Sequence, residues 1–207
     1  PSKFNGKYKN VDDYISEIEK CIKNIHSKKR SLGGFIIEPI ISCGGQVELP
    51  EGFLKRSYEV IRNHGGVCIS DEVQVGCGRL GKSFWGFQLH DVIPDIITIG
   101  KPLGNGHPIG AVVCTKEVAE SFANGMEFFN TFGGNPVSCS IGTQVLRVVK
   151  DHNLQKNAEI VGTYFKNELK KLASEFNIIG DVRGQGLFLG IEFIDYQMNP
   201  LDKETKY

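Results

Sequence analysis

A chain of 207 residues with 40% hydrophobic content can build one substantial core, or one core and part of a second. Its 24 Lys and Arg balance 24 Asp and Glu, and with no basic block it offers no electrostatic footprint to nucleic acid or an anionic membrane. No apolar run approaches the ~20 residues of a membrane span, and no signal-peptide pattern opens the chain.

Along residues 11–29, Val11, Tyr14, Ile15, Ile18, Cys21, Ile22 and Ile25 fall at helical spacing behind a possible cap, Asn10. GFIIEPI (34–40) predicts a short apolar strand ending at Glu38-Pro39, and residues 51–64 predict a second helix closed by Gly65-Gly66. VCIS (67–70) reads as a buried strand running into Asp71-Glu72. After a glycine-rich, aromatic stretch, DIITIG (95–100) is a third strand running into Lys101, and IGAVVCT (109–115) is a fourth. Helices are expected at 116–123, 136–150 and 153–176, and GLFLGIEFI (186–194) is the final strand. Strands alternating with helices predict an α/β fold whose mostly parallel sheet is covered on its faces. A boundary near 150 divides a large domain (1–150) from the start of a second (151–207), which looks truncated at its polar LDKETKY end.

The six cysteines form no C-x-x-C pair, and Cys68 and Cys114 lie in apolar strand-like runs, so buried, reduced thiols in a reducing compartment are expected. The 25 glycines cluster beside predicted elements, where they permit sharp turns or close approach to a ligand. Three charged residues, Glu38, Asp71 and Lys101, end three apolar strands, which is where open α/β sheets bind ligands. An acid after a strand often caps the next helix and a lone Lys is usually solvated. Position alone therefore leaves both readings open.

ISDEVQVGCGRLGKSFWGFQ, then PDIITIGKPLGNGHPIGAVV, then FFNTFGGNPVSCSIG, closely resembles the class III aminotransferases of pyridoxal-phosphate fold type I. The similarity runs in order from FIIEPI to VRGQGLFLGIEF. It implies the large domain of that fold and the beginning of its small α+β domain, with pyridoxal 5'-phosphate as cofactor. Lys101 is similar to the lysine that holds the cofactor as a Schiff base. Asp71 resembles the acid that pairs with the pyridine nitrogen and keeps the ring an electron sink. Val73 would pack on a ring face and Gln74 would bond near the ring hydroxyl. Thr131 resembles the threonine that reaches the phosphate in the neighbouring subunit, which implies a homodimer or higher oligomer. Glu38 is similar to an acid that pairs with a substrate-binding arginine.

In chain order, GCGRLG (76–81) matches G-x-G-x-x-G with Asp95 downstream, but KSFWGF is no amphipathic helix and Asp71-Glu72 would repel a pyrophosphate. Arg79 reads as structural, a packing role is favoured for His107, and Arg183 fits the small domain. The five histidines lack metal-ligand spacing, so no metal site is expected. The family's Gly-Ser phosphate turn and ring-stacking aromatic are absent from these residues, which makes the sequence look like a fragment, and Ile41 stands where relatives often have Gln. The favoured function is amino transfer between an amino acid or amine and an oxo acid, as in alanine–glyoxylate transaminases. SCGGQ, GKPLGNGHP and GMEFFNTFGGNPVSC also look like the branch that eliminates phosphate from ethanolamine phosphate or phosphohydroxylysine. A non-catalytic module on the same scaffold is the third reading. The expected location is intracellular, in the cytoplasm or mitochondrial matrix.

Overall fold

Helix α1 (Val11–Ser27) begins in a capping box. In this computed structural model, which describes residues 10–201, Asn10 Oδ1 accepts the Asp13 N–H at 3.0 Å and the Asp13 carboxylate accepts the Asn10 N–H at 3.4 Å. Asp12 and Asp13 also complement the positive end of the helix dipole. Strand β1 (Gly34–Ile37) follows, then β2 (Ile40–Ile41) and β3 (Val47–Glu48), a short antiparallel pair that the sequence pattern did not announce. Helix α2 (Phe53–Asn63) presents Leu54, Tyr58 and Ile61 on one buried stripe and ends where Gly65 and Gly66 donate back to the Arg62 and Ile61 carbonyls. With Ile22, Leu32 and Cys68 these residues form the main core, and each of the larger side chains contributes about 1.5–3 kcal/mol of burial.

Strands β4 (Val67–Asp71), β5 (Ile96–Ile99) and β6 (Ala111–Cys114) complete a sheet ordered β1-β4-β5-β6. The first three strands are parallel and β6 is antiparallel to β5, pairing Ala111 with Ile99. A parallel return needs a crossover helix, and the Lys101–Gly110 connection holds only the single 3-10 turn Lys101–Leu103. The expectation of covered faces is corrected. Helices α1 and α2 cover the face of Phe35, Ile37 and Cys68, whereas on the opposite face Ile36 is 58% exposed and Val112 67%. The helix pair packs on the first face, and the second keeps these two side chains exposed.

Helix α3 (Lys116–Phe122) is capped by Thr115, and α4 (Pro136–Asp151) by Asn135. Asn153, at φ 52°, turns the chain directly into α5 (Leu154–Glu175). The expected final strand is half of a hairpin, β7 (Ile179–Gln185) with β8 (Phe188–Phe193), which packs against α5. Residues 202–207 of the second predicted domain lie outside the described residues. All six cysteines are free, but only Cys68 and Cys77 are buried; Cys21, Cys43, Cys114 and Cys139 are exposed. Cys114 misled because β6 is an edge strand whose apolar residues face outward. No described helix is long and apolar enough to cross a membrane.

Candidate active site

Parallel strands end on the same edge of a sheet, and here β4 ends at Asp71 and β5 leads into Lys101. Register pairs Asp71 with Thr98, so these two side chains share one face of the sheet. Asp71 Oδ1 accepts the Val73 N–H at 3.0 Å, and Asp71 makes no ion pair among the described residues. Lys101 is exposed at the start of its 3-10 turn and is likewise unpaired. Gly100 joins the two halves of the site. A Cβ there would lie 3.3 Å from Val73 Cγ1, so the glycine lets the turn after Asp71 pack against the strand end that presents Lys101. Gln74 is half-buried in that turn.

Glu72, which the sequence reading passed over except as a charge, is fully buried. Its carboxylate accepts from Ser70 Oγ (2.9 Å), the Gly86 N–H (2.6 Å) and the Phe87 N–H (2.9 Å). Burial pushes its carboxyl above the usual range while those three donors pull the other way. A signal was present in the sequence: an acid one residue beyond a buried run has to find donors or lie at the surface.

Glu38 Oε2 accepts the Ser42 N–H at 3.0 Å and caps the turn after β1. His90 Nε2 lies 2.9 Å from the carbonyl of the neighbouring Pro39, and burial lowers the His90 pKa. Arg183 is not a partner of Glu38. Its guanidinium bonds the Gly45 carbonyl (2.9 Å), Glu192 (2.7 Å) and Asp181 (3.1 Å), tying the C-terminal hairpin to the loop beyond Glu38. Thr131 is exposed in the loop before α4, where Asn130 Oδ1 accepts the Phe132 and Gly133 N–H groups. No hydrogen bond connects Thr131 to the Lys101 cluster among the described residues. His107 Nε2 sits 2.8 Å from Ser138 Oγ, pinning the first turn of α4, which is the packing role expected of it.

GCGRLG is a run of turns, not a helix start. A Cβ at Gly78 would meet the Gln155 side chain and one at Gly81 the Glu159 backbone, so these glycines let the loop lie against α5. The Arg79 carbonyl accepts the Leu187 N–H, and Asp95 is taken up by Arg62 at 3.0 Å and the Cys68 N–H at 2.7 Å.

Known proteins match nearly the whole of this chain. The profile of the class-III aminotransferases matches residues 2–205. The chain belongs to the class III aminotransferases. Among class III relatives, human mitochondrial alanine–glyoxylate aminotransferase 2 is 50% identical over 195 residues, covering 93% of this chain and 38% of the human protein. Ethanolamine-phosphate phospho-lyase homolog 1 of Caenorhabditis elegans is 38% identical over 210 residues, with 94% of this chain and 45% of the relative covered. A phospholyase from Arthrobacter, solved in complex with phosphoethanolamine, superposes with a TM-score of 0.90 at 39% identity, over 95% of this chain and 47% of that one. The chain spans less than half the length of these relatives. Its α/β architecture with a mostly parallel sheet is that of fold type I.

Proposed function

We propose that the chain supplies the lysine-bearing part of a pyridoxal-phosphate-dependent transaminase, which moves an amino group between an amino acid or amine and an oxo acid. The observation that carries this reading is the edge formed by Asp71 and Lys101, with the Val73 turn seated on Gly100 between them. The residues suit the group: a carboxylate and an amine of opposite charge, neither answered by an ion pair among the described residues, match a ring nitrogen and an aldehyde. When bound, pyridoxal phosphate supplies an electron-withdrawing ring.

Asp71 would hold the proton on the ring nitrogen, Val73 would lie against a ring face and Gln74 would bond near the ring hydroxyl. Lys101 Nζ would hold the group covalently and, as a free amine, would take the proton from the substrate carbon and return it to a carbon of the cofactor. Thr131 would reach the phosphate of the neighbouring subunit in a homodimer or higher oligomer, which fits its exposed loop, and Glu38 would pair with a substrate-binding arginine. The boundary we propose between the large domain (1–150) and the second (151–207) lies close to the end of α4 at Asp151. An intracellular location, cytoplasmic or in the mitochondrial matrix, fits six free thiols and a human relative named as mitochondrial.

A second reading has its own support. The Arthrobacter structure was solved with phosphoethanolamine, and phosphate elimination from such an amine would call on the same lysine and aspartate. Two measurements on the full-length protein decide. Borohydride reduction should fix the cofactor's mass on the peptide containing Lys101, and a label on another lysine refutes the assignment. Product analysis should then find a transferred amino group; released phosphate and ammonia would replace the first reading with the second.

A further inference from the structure

Glu72 stands between two of the residues assigned to the cofactor, and its interactions reach across the site. Its N–H donates to the Thr98 carbonyl at 2.9 Å, joining the end of β4 to β5. Its carbonyl accepts the Gly76 N–H at 3.0 Å, closing the turn that contains Val73 and Gln74. Its carboxylate grips Ser70 on its own strand, and Gly86 and Phe87 in the aromatic segment that follows. That segment has no slack. A Cβ at Gly86 would lie 2.7 Å from Val75 Cγ2 and 2.9 Å from Pro39 Cβ. The amide held by Glu72 therefore belongs to backbone pressed both onto the Val73–Gly76 turn and onto the corner beside Glu38. His90, in the same segment, meets the Pro39 carbonyl from the other side.

Two of the three donors are backbone N–H groups, which cannot reverse their role. The position thus demands acceptors on both side-chain oxygens, and an amide of equal shape offers only one. Asp71, one residue earlier, makes a single bond, to the Val73 N–H, and has little to fix it by itself.

We infer that Glu72 is a positioning residue: by gripping the Gly86 and Phe87 amides, it sets the turn that aims Asp71, Val73 and Gln74 and seats that turn against Pro39 beside Glu38. This rests on the cofactor reading given above. Glu72 touches no cofactor and acts through Asp71 and Val73.

The test uses full-length protein, wild type and Glu72→Gln, and reads two quantities. In cofactor-free protein, amide hydrogen exchange should accelerate about tenfold or more at Val73, Gly86 and Phe87, and stay unchanged at Phe35 and Cys68 in the core. At a temperature well below unfolding for both proteins, the dissociation constant of pyridoxal phosphate should rise about tenfold. A lower melting temperature with unchanged cofactor affinity and unchanged Val73 exchange would make Glu72 a packing residue and overturn the inference. If wild type takes up no pyridoxal phosphate, the cofactor reading fails, and Val73 exchange alone decides whether Glu72 sets the turn. Should Glu72→Gln not fold, Ser70→Ala removes one of the three donors; cofactor affinity weakened about two- to threefold supports the inference, and unchanged affinity overturns it.

Discussion

Two adjacent acids at the end of β4 face opposite demands. Asp71 is half-buried and bonds one backbone N–H, whereas Glu72 is sealed and satisfies three donors. Losing Asp71's one bond costs about 1 kcal/mol, so Asp71→Ala should leave the fold largely intact. It should nevertheless slow α-proton removal from substrate by orders of magnitude, because a ring nitrogen without its carboxylate partner loses the proton that makes the ring an acceptor. Asp71→Glu should recover little, since the longer arm misplaces the carboxylate. Isotope exchange at the substrate α-carbon, measured on full-length protein with saturating cofactor, checks this. Near-normal exchange in the Ala variant would reduce Asp71 to a cap on the Val73 turn.

Among the elements, glycine does more than turn the chain. Gly162 lies in the interior of α5, where Ala would normally be favoured by about 1 kcal/mol. A Cβ at this position would strike the Gly186 carbonyl at the tip of the β7–β8 hairpin. Backbone meets backbone there, so no rotamer change relieves the clash. The packing effect should win: Gly162→Ala should destabilise the protein by about 2 kcal/mol despite the gain in helix propensity. Thermal or denaturant unfolding of the full-length protein measures the difference, and a more stable variant would show that the helix and hairpin can separate at little cost. The same device explains Gly78 and Gly81, whose spacing imitates a phosphate-binding loop and whose neighbours are side chain and backbone of α5.

At the scale of the whole molecule, apolar surface is unevenly distributed. The uncovered sheet face exposes Ile36 and Val112, and the loop before α4 exposes Met126, Phe128, Phe129 and Phe132 around Thr131. Four large apolar side chains beside a glycine turn are costly to leave in water and suit a subunit contact. If Thr131 serves the neighbour's cofactor, full-length Lys101→Ala and Thr131→Ala should complement when subunits exchange. In a mixed dimer both lesions fall on one site, leaving the other intact, so activity should recover to about half of normal per dimer. Mixed dimers that form without recovery would assign Thr131 to its own subunit.

What the sequence determined by itself was local. The cap at Asn10, the two helices before and after β1 and the strand runs before Asp71 and Lys101 depend on residues a few positions apart, and the structure has them within a residue or two of expectation. That Asp71 and Lys101 each stand at a strand end was legible for the same reason, since each follows its own apolar run; that the two strands are neighbours is decided by the pairing. The direction of β6, the pairing of β7 with β8, the exposure of Cys114 and the open face of the sheet were not legible. Each depends on which distant segment lies alongside, and an apolar run looks alike whether it pairs parallel or antiparallel, at the centre or at an edge. Glu72 shows the limit most clearly. Its residue type and its place after a strand are those of an ordinary solvated acid, and only the return of Gly86 and Phe87 to meet it turns a surface charge into a buried clamp.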